Sequence, residues 1–217
     1  NLYKRIINND LMATYEKTFA NDYHFKVMVG HNIYQEEWKN ENVQAQNLVV
    51  DELYTYTNAK STTPVNYSEK KRLVGVYGDI SLAYKDMLFV NVTGRNDWSS
   101  TLAFTERKSR GFFYPSVGLS WIIPKSFSMP SLISFGKVRA SWSKVGNDIP
   151  LFVSNTVGHI AAGGIPQPND TAPFGTLKPE MSSSFEIGTE WKFFDYRMDV
   201  DLTFYKTNTK NQLFSLP

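Results

Sequence analysis

Carboxylates at even spacing recur towards the C-terminal end of the chain: Asp199 with Asp201, and Glu186 with Glu190. In an extended strand, residues an even number apart share a face. Two carboxyl groups on one face are the apparatus of glycoside hydrolysis. The same spacing serves cross-strand ion pairs, and Lys137, Arg139 and Lys192 fall on the polar parity of neighbouring runs. Pairing on a wet wall is the reading adopted for these acids. A second cluster is Arg95, Asp97 and Trp98, at the end of one run. An aromatic ring beside polar groups can stack on a sugar and hydrogen-bond it. These three are the candidate substrate-binding residues, and the plainer reading is that Arg95 and Asp97 simply pair.

Other chemistries find little footing. His24 and His31 are seven residues apart and so point to opposite faces of one strand, while His159 falls in a loop. A metal site needs three or four convergent ligands, so none is expected. No glycine-rich phosphate loop and no Gly-x-Ser-x-Gly turn is present, so neither a cofactor nor a catalytic residue is expected. Three Asn-x-Ser/Thr triplets begin at Asn66, Asn91 and Asn169, and carry little weight because Asn91 lies mid-strand. Cysteine is absent, which excludes disulfides and thiolate sites. A net charge of +2 makes no electrostatic case for nucleic acid.

What must position these residues is a series of eight strands. The runs are Asp10–Phe19, Tyr23–Tyr34, Leu73–Tyr84, Met87–Asp97, Phe112–Ile123, Ile133–Val145, Ser183–Phe193 and Arg197–Thr207. Each alternates apolar and polar residues. Met87–Asp97, for example, sets Leu88, Val90 and Val92 against Asn91, Thr93, Arg95 and Asp97. From the second run onward the central charges keep to the polar parity. Lys206 is excused by its place at a strand end, and Lys17 makes the first run the weakest. A charge facing lipid at mid-depth costs about 2–4 kcal/mol, so such exclusion is what a membrane strand requires. Strands of about 10–13 residues also match a tilted membrane strand better than a globular one. Aromatics gather near the short-turn ends at Tyr23, Tyr84, Trp121, Trp191 and Phe193, as an interfacial girdle would, with Phe113 and Trp142 as candidates for the opposite girdle.

The connections alternate in length. Short turns at Ala20–Asp22, Lys85–Asp86 and Asp195–Tyr196, with a modest one at Pro124–Leu132, oppose long stretches at Gln35–Arg72, Trp98–Gly111 and Gly146–Ser182. Short turns at one end and long loops at the other describe an outer-membrane barrel wall. The expected fold is therefore all-β, an antiparallel transmembrane β-barrel segment of about eight strands. The chain starts at Asn1 without Met and ends on Phe214-Ser215-Leu216-Pro217, and proline is a poor ladder member. Residues 1–217 are thus expected to form a single partial domain within a longer protein.

Four segments carry a resemblance: Phe89–Ser100 (FVNVTGRNDWSS), Phe113–Trp121 (FYPSVGLSW), Lys137–Asn147 (KVRASWSKVGN), and the stretch from Leu177-Lys178-Pro179-Glu180 to Phe194-Asp195-Tyr196-Arg197. In order and spacing they resemble the SusC/RagA-like TonB-dependent outer-membrane transporters. Trp98 departs from the glycine of many relatives. The resemblance implies a barrel of about twenty-two strands with an N-terminal plug domain, which is absent here together with the closing strands. It implies TonB-dependent import of an oligosaccharide or peptide across the bacterial outer membrane, without enzymatic chemistry. The implied partners are outer-membrane lipid, a SusD-like surface lipoprotein, and TonB through the missing plug region. Two alternatives remain: a small closed eight-stranded outer-membrane barrel, and a soluble β-sandwich carbohydrate-binding module.

Overall fold

The computed structural model describes residues 1–103, 105, 111–154, 157–161, 164–168 and 178–212. Gly163, the triplet at Asn169, Leu177 and the closing run Phe214–Pro217 lie outside the described residues. Among the described residues ten strands follow in chain order: β1 (Leu2–Phe19), β2 (Tyr23–Leu48), β3 (Ala59–Tyr84), β4 (Leu88–Ser99), β5 (Gly111–Ile122), β6 (Ile133–Asn147), β7 (His159–Ala161), β8 (Ile165–Gln167), β9 (Glu180–Phe193) and β10 (Met198–Lys210). Eight form one antiparallel sheet in the order β1-β2-β3-β4-β5-β6-β9-β10, and β7 pairs with β8 in a separate ribbon.

Register follows the alternation. Phe25, Leu82, Val90, Leu119, Ala140, Ile187 and Phe204 lie in one row across seven strands. Slipping any strand by one residue would put its polar parity into that row, so the pattern pins the pairing. The short turns are true hairpin turns. Lys85 and Asp86 have φ of 50° and 51°, and Met87 N–H donates to the Tyr84 carbonyl at 2.9 Å. Left-handed φ at both central residues matches the twist of the flanking strands. At this end the Tyr23 and Tyr84 rings stack 4.7 Å apart.

The structure corrects the expected fold class. Among the described residues β1 pairs only with β2, and β10 only with β9, so neither the eight-stranded sheet nor the two-stranded ribbon closes there. The described residues are two open antiparallel sheets, not a transmembrane barrel segment and not a small closed barrel. Alternation and hairpin turns are local properties that any antiparallel meander satisfies. Closure demands that first and last strands meet, which no local pattern specifies.

Two boundaries also move. The stretch Gln35–Arg72 is not a loop: β2 and β3 are 26 residues each and stay paired from Gln35↔Arg72 out to Leu48↔Ala59. β1 begins at Leu2 rather than Asp10, because it pairs with the extended β2 as far as Asn40. Its misplaced cation is accommodated, with Lys17 Nζ lying 5.0 Å from the centre of the Phe19 ring.

Among the described residues much of the apolar parity is left uncovered. Val29, Val76, Val117, Phe185 and Leu202 are all exposed, Leu202 by 64%. Among the described residues the buried hydrophobics are Leu102, Phe112 and Ile149, gathered at the loop-bearing end.

Candidate functional site

The polar face carries most of the charges, and several of them are paired. Arg139 on β6 reaches across β9 to β10: its guanidinium donates to the two Asp201 oxygens at 3.1 and 3.2 Å and to Thr203 at 2.6 Å, and its Nε lies 3.5 Å from Glu186. Lys192 sits between Glu190 at 3.2 Å and Asp199 at 3.1 Å. Lys137 stands opposite Glu190 in the register, but Lys192 holds that carboxylate. Each cation thus joins one acid of each pair, Arg139 linking Asp201 with Glu186 and Lys192 linking Asp199 with Glu190, as an ion-pair wall requires and a hydrolytic pair does not. Beside Arg139 and Glu186 runs a trough of about 400 Å³, whose wall includes His24, Phe89, Asn91 and Gly118.

Arg95 and Asp97 occupy the same face at the loop-bearing end of β4. Arg95 Nε lies 2.7 Å from Asp97 Oδ1, and the guanidinium carbon lies 5.4 Å from the centre of the Tyr77 ring. Tyr114 Oη donates to Asp97 Oδ2. Asp97 is only 4% exposed, and its Oδ1 takes no aligned hydrogen bond, so the charge of Arg95 is what balances it. Burial, and then the hydrogen bond to Asp97, pushes the Tyr114 phenol up, so it remains a donor at ordinary pH. Gly75 on β3 makes the arrangement possible. A Cβ there would run into both the Arg95 guanidinium and the Asp97 carboxylate.

Trp98 is not part of this group. Its parity places it on the other face, opposite Val74 and Gly111, where it is 42% exposed. Tyr114 was missed in the sequence, although its parity with Ser116 was a usable signal. Asp148 was also missed, because it lies past the end of β6, where periodicity has no meaning. Its carboxylate accepts from Ser99 at 2.7 Å and Thr101 at 2.5 Å, and Lys71 Nζ lies 2.8 Å away. Among the described residues no three metal-binding side chains converge. His24 instead meets Glu16 at 3.0 Å.

A match to the family described as TonB dependent receptor-like, beta-barrel spans residues 3–217. The chain belongs to that family. It is 26% identical over 156 residues to TonB-dependent receptor P26 of Formosa agariphila, covering 67% of this chain and 15% of that protein. It is 25% identical over 219 residues to TonB-dependent receptor P3 of the same organism, covering 94% of this chain and 21% of that protein. The chain therefore spans about a fifth or less of these curated relatives. In fold it is similar to the RagAB peptide transporter, with a TM-score of 0.82 at 18% identity over 100% of this chain and 25% of that one. The closed-closed state of the RagAB peptide importer gives a TM-score of 0.79 at 17% identity, over 96% and 24%. The sheet is open within a chain that covers about a quarter of those structures. Membership of the TonB-dependent receptor family places the protein in the outer membrane.

Proposed function

We propose that the whole protein imports a nutrient across the outer membrane under TonB control, the nutrient being an oligosaccharide or peptide too large to diffuse through porins. The observation that carries this is the segregation of faces. Bridged ion pairs, hydroxyls and the trough line one face, while exposed apolar side chains cover the other. On this reading the polar face borders the solute's route. Arg95 offers it a half-exposed cation that Asp97 and Tyr114 hold in place. The apolar face requires an apolar cover, which outer-membrane lipid supplies. A SusD-like lipoprotein would deliver solute at the loop-bearing end, and TonB would drive its passage.

The test is uptake of labelled oligosaccharides and peptides by cells with and without the full-length gene, each with and without TonB. Import predicts uptake of one class that requires both. Equal uptake in the deletion strain, or uptake indifferent to TonB, would sink the proposal.

A further inference from the structure

The contacts around Asp148 go beyond what import alone requires. Two segments far apart in sequence, 99–103 and 148–154, are tied to each other and to β3. Asp148 is the hub: Oδ2 accepts the Ser99 hydroxyl and faces Lys71, and Oδ1 accepts the Thr101 hydroxyl. A second tie runs from the Ser154 hydroxyl to the Thr101 carbonyl at 2.6 Å. Beneath these ties Leu102, Phe112 and Ile149 are 0–5% exposed, with Leu73 and Tyr114 packed against them.

Parity says where this knot sits. Leu73 shares its face with Gly75 and Tyr77, and Phe112 stands opposite Asp97 as Tyr114 stands opposite Arg95. All of these belong to the polar face. The two segments therefore fold onto that face, immediately beyond Arg95 and Asp97, instead of splaying into solvent. A carboxylate serving two hydroxyls and an ammonium is a strong tie, because charge-assisted hydrogen bonds are about twice as strong as neutral ones.

We propose that Asp148 is a positioning residue that locks these two segments as a fixed ledge across one side of the solute route and so sets the upper size of solute that passes Arg95. This rests on the import reading. Removing the carboxylate releases three side-chain donors and the Ile149 amide at once and shifts the ledge towards an open arrangement by about tenfold or more.

The experiment uses the full-length protein in its own outer membrane. Wild type, Asp148→Ala, and the double variant Ser99→Ala with Thr101→Val are compared on two labelled ladders of increasing length, one of dextran-derived oligosaccharides and one of oligoalanines. Amide exchange over 99–103 and 148–154 is measured alongside. The proposal expects exchange in both segments to rise about tenfold, with longer members of the imported ladder gaining uptake relative to the shortest. Unchanged exchange, or faster exchange with the same length cut-off, overturns it. The double variant keeps the Lys71–Asp148 pair, so it carries the same readouts if Asp148→Ala fails to reach the membrane. If wild type takes up neither ladder, the import reading fails on these probes, and the lock then stands or falls on exchange alone.

Discussion

At the scale of single residues, the Arg95–Asp97–Tyr114 group depends on one glycine and one hydroxyl. Gly75→Ala puts a methyl between a guanidinium and a carboxylate that are already in contact. Overpacking of this kind costs about 1–3 kcal/mol. Gly118→Ala is the matched control, because nothing lies within 4 Å of a Cβ there. Heat or urea unfolding of the full-length protein in detergent should show a lowered midpoint for the first and an unchanged one for the second. Tyr114→Phe removes the donor that satisfies a nearly buried carboxylate. Leaving such an acceptor unpaired costs about 1–3 kcal/mol, and the same unfolding measurement reads it. Equal midpoints for Tyr114→Phe and wild type would show that the hydrogen bond contributes nothing. The pairing of Arg95 with Asp97 was legible in the sequence because the two are two residues apart on one strand. Tyr114 comes from the neighbouring strand, and only the register brings it to Asp97.

At the scale of elements, the main change is the β2–β3 hairpin, whose arms project past the rest of the sheet. Their inner face is ordered by side chains. Trp38 and Tyr67 meet edge to face at 5.3 Å, Tyr34 donates to Glu36 at 2.8 Å, and Tyr67 donates to Glu69 at 2.6 Å. Amides from Gln35 to Gln46 and from Ser61 to Arg72 should therefore resist exchange as a ladder does. Loop-like exchange over those spans would contradict the pairing. The Tyr67 hydrogen bond to Glu69, with burial behind it, pushes that phenol up to about 12. A raised acid contributes stability that is fully present below its unfolded value of about 10 and is lost as pH rises through about 12. The tyrosinate absorbance difference between wild type and Tyr67→Phe should accordingly titrate near pH 12. A midpoint at the ordinary tyrosine value would show the contact to be absent in solution. These arms were hidden in the sequence because their alternation is polar against polar. Residues such as Lys39-Asn40-Glu41-Asn42 carry no hydrophobic period, and pairing holds them extended all the same.

At the scale of the whole molecule, the sheet lacks what a globular domain needs. Among the described residues one face is a broad exposed apolar surface, and both outer strands present unpaired edges. Such edges template association, and large apolar patches do the same in water. The 217-residue chain expressed alone should therefore aggregate in plain buffer and disperse only in detergent. A monomer in plain buffer with a cooperative melt, read by size-exclusion chromatography and calorimetry, would show that the apolar face is covered from within the chain.

The amino-acid sequence by itself determined which residues share a face, where the short turns fall, and that cations drawn from Lys137, Arg139 and Lys192 would meet the acids, of which Arg139 and Lys192 do. These are period-two properties, set by backbone geometry and by the cost of burying or exposing a charge. Tertiary structure alone decided the extent of β2 and β3, the openness of the sheet, the separation of Trp98 from Arg95 and Asp97, and the knot at Asp148. Each of those depends on which strand or loop lies alongside. Pairing partners across tens of residues leave no periodic trace in the chain that makes them.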